Sequence, residues 1–187
     1  MSRQSDQEST GLASAIPFDG GESEKHGFAH IAAFDEATSL DHIDAAIAQL
    51  RISLNTTPLT HPARADRVYY LGVAYAKRYW GPGIMDDLET CHQLSKEAVE
   101  LTSTDSPDRA ERLHSLAHTY MEKYMWTLDS ALFNLGHRRM EESIALTTDP
   151  SILGDRLDYL SCRFFDRYRK RGGISDVDFG RHPQGPL

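Results

Sequence analysis

The sequence predicts an all-α fold: an α-solenoid of antiparallel helix pairs, in about two and a half to three units of 44–45 residues. Three observations carry that expectation. Residues 61–79 recur as 106–124 at a constant offset of 45, with Pro62 matching Pro107, Arg67 matching Arg112 and Tyr79 matching Tyr124. A third copy, from Asp155 to Tyr168, follows at an offset of 44. Between the copies run segments with apolar residues at i, i+3 and i+4, the spacing of a helix that buries one face. Self-similarity at such a period means that each unit covers its apolar face with the next, so packing propagates along the chain.

Residues 1–25 are rich in Ser, Glu, Gln and Gly with few large apolar side chains, a composition that predicts disorder. A repeat domain is expected over 26–179, followed by a disordered tail at 180–187. His26 to Phe34 reads as a degenerate form of the repeated first helix, because Phe34 stands 45 residues before Tyr79. Second helices are predicted over 40–56 (Leu40, Ile43, Ala46, Ile47, Leu50, Leu54), 86–102 (Leu88, Cys91, Leu94, Ala98, Val99, Leu101) and 130–147 (Leu132, Leu135, Met140, Ile144, Leu146).

The first helices between them each begin with a proline. Pro62, Pro107 and Pro150 suit the first helical position, where no N–H is needed, and Ser106 and Asp149 can cap. Gly81-Pro82-Gly83 and Gly172-Gly173 end the first and third of these helices, and Thr127-Leu128-Asp129 ends the second. Each also carries an acidic residue followed by Arg: Asp66-Arg67, Glu111-Arg112 and Asp155-Arg156. An exposed pair contributes only ~0–1 kcal/mol. Three recurrences therefore predict an Arg that bridges to the neighbouring unit. Ile174 to Phe179 resembles the start of another second helix, so the array reads as starting and ending mid-unit. That predicts either a tail, 172–187, folded back over the last helix or self-association through the incomplete ends.

Composition narrows the function classes. Twenty Lys and Arg against 28 Asp and Glu give a net charge of −8, which opposes binding to a phosphate backbone, so no nucleic-acid partner is expected. No apolar run approaches the roughly 20 residues that span a bilayer, and Met1 to Glu8 carries no hydrophobic leader. A cytoplasmic or nuclear location without membrane partners is expected. Cys91 and Cys162 form no disulfide framework and read as small core or groove residues.

Val68-x2-Leu71-Gly72-x2-Tyr75, Leu113-x2-Leu116-Ala117-x2-Tyr120 and Leu157-x2-Leu160-Ser161-x2-Phe164 keep the spacing W-x2-L-G-x2-Y. The looser second-helix positions are Ala46, Leu50 and Pro58; Cys91, Ser95 and Ser103; Gly136, Met140 and Thr148. On these residues the chain, over about 26–179, resembles the tetratricopeptide (TPR) repeat proteins. Its longer unit is similar to the TPR arrays of fungal proteins that often carry a CHAT protease domain, a domain not read in these residues. The resemblance implies that the first helices line a concave groove that binds a peptide or partner helix. Carried over by position, the groove residues are Asp66, Tyr69, Tyr70, Val73 and Lys77; Glu111, His114, Ser115, His118 and Glu122; and Asp155, Asp158, Tyr159, Cys162 and Asp166. The set is acidic with aromatic and imidazole rings interleaved, so a protein or peptide partner of basic character is expected. The alternative expectation is that the chain is a truncated fragment of a larger TPR-containing regulator, of the CHAT-protease type for example, whose effector domain is missing.

Other chemistries are less favoured. His114 and His118, at i and i+4 with Glu111 and Glu122 nearby, have the spacing of two metal-ligating imidazoles, but no H-E-x-x-H motif is present. No metal and no cofactor are expected. Neither a nucleophile elbow nor a phosphate-binding glycine loop occurs, and adjacent Cys91 and His92 would point about 100° apart on a helix. The sequence thus predicts a non-catalytic interaction module.

Overall fold

The computed structural model describes residues 20–37, 39–81 and 83–171, and among these the fold is all-helical, with no strand. Helix α1 spans Gly20–Ala37, α2 Leu40–Asn55, α3 Arg64–Trp80, α4 Met85–Leu101, α5 Arg109–Thr127, α6 Ser130–Ala145 and α7 Pro150–Arg171. The three intervening helices, α2, α4 and α6, fall within two residues of the spans their apolar spacing predicts. None of the helices is long and apolar enough to cross a membrane. The expected tail contact and the helix start at Ile174 lie outside the described residues.

Helix α1 begins at Gly20, not at His26, so residues 20–25 are a correction to the expected disorder. Two contacts explain the difference. Glu24 accepts hydrogen bonds from Nε and Nη2 of Arg67, both at 3.2 Å, and Ser23 is buried. Farther along α1, Phe28, Ile31 and Phe34 pack on the core formed by Ile43, Ala46, Ile47 and Leu50 of α2 with Leu71, Ala74 and Tyr75 of α3. The poor apolar content of 20–25 is offset by an ion pair that local composition does not show.

The prolines also sit differently from the prediction. Pro62 and Pro107 precede their helices by two residues, inside turns closed by Arg64 N to His61 O at 2.9 Å and Arg109 N to Ser106 O at 3.1 Å. The fixed φ of proline suits this second turn position as well as it suits the first helical one. Ser106 accepts from the amide of Asp108 within that turn at 3.3 Å, and so does not cap α5. Only Pro150 opens its helix, and Asp149 caps it by accepting from the amides of Ser151 (2.8 Å) and Ile152 (3.2 Å). Between α5 and α6 the chain turns without glycine: Leu128 takes a left-handed φ of 56° and donates its N–H to Tyr124 O at 2.8 Å. Asp129 then caps α6 by accepting from Ala131 N at 2.8 Å.

Helices pack chiefly on their chain neighbours. A second core joins Met121 and Tyr124 of α5, Phe133 of α6 and Phe164 of α7, and a third joins Val99 of α4 to Leu113 and Leu116 of α5. Close approach is set by small residues. A Cβ on Gly136 would come within 3.1 Å of Ala117 O, Met121 Cγ and Tyr120 Cβ, so a larger residue there would make α5 and α6 give by a few tenths of an ångström.

Charged residues then tie α1, α3, α5 and α7 together. Arg67 pairs with Glu24, Arg112 with Asp66 and Arg156 with Glu111, each reaching back to the preceding odd-numbered helix as the recurrence predicts. Each Arg also donates to a threonine hydroxyl, Thr57, Thr102 or Thr147, just after α2, α4 or α6. These threonines recur at the same 45-residue offset and were not singled out by the sequence reading. At 3 to 5% exposure the three arginines are buried cations, tolerated because each has a carboxylate and a hydroxyl as acceptors.

Candidate functional site

A cavity of about 240 Å³ opens between α3 and α5, with α4 as its floor. Tyr69, Val73, Ala76, Lys77, Tyr79 and Trp80 form the α3 wall with Gly72 behind them. Glu111, His114, Ser115, His118, Thr119 and Glu122 form the α5 wall, and Leu88, Cys91 and Ser95 lie beneath. Helical periodicity puts each wall together: Tyr69, Val73, Lys77 and Trp80, like Glu111, Ser115, His118 and Glu122, follow the i, i+4, i+7 or i+8, i+11 stripe of one helix face.

Eight of the fifteen groove residues carried over from the resemblance line this cavity: Tyr69, Val73, Lys77, Glu111, His114, Ser115, His118 and Glu122. The other seven lie elsewhere. Asp66 is held by Arg112, and Tyr70 turns toward α1, its ring edge-on to Phe28 at 4.5 Å. Tyr159 stacks on His118 at 4.5 Å and 26°, and Asp166 pairs with Arg163 of its own helix at 2.9 Å. Asp155, Asp158 and Cys162 are exposed on α7. The sequence reading did not place Gly72, Ala76, Tyr79, Trp80 and Thr119 on the walls, nor Leu88 and Ser95 in the floor, whereas Cys91, read as a core or groove residue, lies in that floor. Trp80 was legible in principle, three residues beyond Lys77 on the same stripe.

One position explains why the cavity lies where it does. Tyr70, Ser115 and Tyr159 are equivalent by the 45- and 44-residue offsets. Between α1 and α3 the space takes the Tyr70 ring against Phe28, and between α5 and α7 it takes the Tyr159 ring against His118. Between α3 and α5 the equivalent residue is Ser115, which leaves the volume of a phenol unfilled and lines the opening.

The acidity legible in the sequence is largely compensated within the fold. Glu111 receives Arg156 at 2.8 Å and the Tyr69 hydroxyl at 3.3 Å, with His114 at 3.8 Å. Hydrogen bonding and charge from His114, then from Arg156, hold the Glu111 carboxyl down at about 2. Glu122 behaves in the opposite way, because burial raises it and its ion pair to Arg163 is long, at 3.4 Å. Burial pushes the Tyr69 hydroxyl up to about 12, with the Glu111 charge adding to the effect.

The imidazoles are set among rings. His118 lies edge-on to Trp80 at 5.0 Å and stacked on Tyr159, and burial lowers it to about 3. Its neighbour His114 is 6.2 Å away between ring centres. Among the described residues no group of three or more His, Cys, Asp or Glu is placed to hold a metal ion. The Cys91 thiol in the floor is pushed up to about 11 by burial, which keeps it protonated and a poor nucleophile at neutral pH.

No protein-family model matches the chain, and no curated protein matches it. The chemistry of the cavity therefore rests on its own residues. It offers an apolar floor, aromatic walls and one partly desolvated carboxylate, features that hold a side chain in place and orient it.

Proposed function

We propose that the chain is a TPR-like α-solenoid acting as a non-catalytic protein-interaction scaffold, which takes a partner peptide or helix of basic character in the trough between α3 and α5. The carrying observation is the cavity of about 240 Å³ left open by Ser115 on the face that α3 and α5 share. Three things support a solenoid: a period of 44–45 residues, packing between consecutive helices, and an Arg–carboxylate–Thr tie repeated at every step. Binding, not bond-breaking, suits a site whose thiol stays protonated and whose His118 stays neutral and enclosed by rings.

A photo-crosslinking aromatic amino acid in place of the half-exposed Trp80 tests the reading, with one at exposed Gln93 on α4 as the control. Peptides of defined sequence should be captured from position 80 and not from 93. Equal capture at both positions, or none at 80, would contradict it.

A further inference from the structure

The cavity is not chemically uniform, and its two ends differ in what they still lack. At the Glu111 end the carboxylate is saturated by Arg156, the Tyr69 hydroxyl and the nearby His114. At the Glu122 end the carboxylate sits in a lining with Tyr79 and Trp80, only 18% exposed, with Arg163 at 3.4 Å. A carboxylate has about four acceptor sites, so Glu122 keeps capacity for another donor. Burial already raises its pKa, the signature of an anion whose lost hydration has not been fully replaced.

The surroundings select the shape and charge of that donor. Val73, Ala76 and Leu88 supply an apolar path, and Trp80, a half-exposed ring at the same end, supplies a π face. A slender aliphatic stem with a cationic tip fits both, because the stem is buried while the head meets the ring face and the carboxylate. With the Arg163 guanidinium already on Glu122, a compact point donor fits the remaining sites better than a second planar fork. Asp166 and Lys170 of α7 also face Glu122 and offset one another, which leaves Arg163 as the net positive charge from that helix, with Lys77 in the α3 wall.

Resting on the peptide-binding reading above, we propose that the cavity is a receptor for one lysine side chain of the partner, its stem along Val73, Ala76 and Leu88 and its ammonium on Glu122. The test uses the full chain, labelled with ¹⁵N, and two blocked pentapeptides: alanines around a central lysine, and the same peptide with norleucine. The lysine peptide should shift the amides of Ala76, Lys77, His118 and Glu122 in a saturable way. It should bind at least roughly tenfold tighter than the norleucine peptide, the scale of one charge-assisted hydrogen bond. Glu122→Gln, which preserves shape, should abolish that preference. Ser115→Tyr, two turns before Glu122 on the same α5 wall, should abolish binding by filling the cavity, which keeps the test valid should the first variant misfold. Equal binding of both peptides in the cavity overturns the lysine proposal and leaves the groove intact. Binding of neither, or shifts confined to Asp155 and Asp158, overturns the lysine proposal and the groove reading together.

Discussion

The α3–α5 and α5–α7 gaps begin alike. In each, an arginine of the later helix is buried against a carboxylate of the earlier one and a threonine hydroxyl, Arg112 with Asp66 and Thr102, Arg156 with Glu111 and Thr147. One turn along, they diverge. Tyr159 fills the second gap by stacking on His118, with the Arg163 guanidinium 5.2 Å from its own ring centre, whereas Ser115 leaves the first gap open. The same clamp thus supports a closed and an open interface, so the spacing of the helices is set separately from the contents of the space between them. An open cavity can arise between such helices from one large-to-small difference without loss of the packing.

Breaking the shared part should have the largest effect. Arg112→Ala leaves the Thr102 hydroxyl and the half-exposed Asp66 without their cation, and a loss of about 3 kcal/mol is expected, read by urea denaturation. Arg112→Lys should recover only part of it, since an ammonium cannot serve both acceptors with a fork. A neutral outcome for Arg112→Ala would mean that the clamp does not hold the stack.

Making the closed gap resemble the open one is the next test. Tyr159→Ser should cost about 2 kcal/mol through the cavity it creates against His118. Tyr159→Phe should cost nothing or stabilise, because the Tyr159 hydroxyl is buried without a hydrogen-bond partner among the described residues. Thermal melts of the pair distinguish ring filling from hydroxyl bonding as the source of closure.

A smaller effect comes from pH. Burial holds His118 at about 3 and His92 at about 4, both below the usual 6.5, and lowers His137 as well. Folded-state values below the unfolded one mean that the unfolded chain takes up protons first. Their contribution is therefore fully present above pH 6.5 and is lost as pH falls from there toward 4. The melting temperature should decline across that window, and His118→Gln should flatten the decline. A melting temperature that is level from pH 7 to 4.5 would show that these rings are not neutral and enclosed.

Much of the scaffold is legible in the chain because helical packing is local. Ile43, Ala46, Ile47 and Leu50 announce α2 by spacing alone, and the paired Asp66-Arg67, Glu111-Arg112 and Asp155-Arg156 announce a tie between units. What was not legible depends on residues distant in sequence. Glu24 is recruited into helix α1 by Arg67, 43 residues away, and composition around Glu24 carries no sign of it. The threonines that complete each clamp sit outside the helices, where periodicity gives no guidance. The Tyr70, Ser115 and Tyr159 equivalence is visible in the aligned copies, yet its meaning requires knowing that both tyrosines turn into gaps between helices. Charge was the least reliable guide, because Asp66, Glu111 and Glu122 each meet an arginine of a later helix.

The central claim is that Ser115 alone keeps the α3–α5 gap open for a ligand, and Ser115→Tyr tests it most directly. Measured by amide shifts on titration with the lysine pentapeptide, the variant should lose at least roughly tenfold in affinity, about 1.4 kcal/mol, while its urea midpoint stays level or rises. Unchanged affinity in a folded Ser115→Tyr protein would contradict the account.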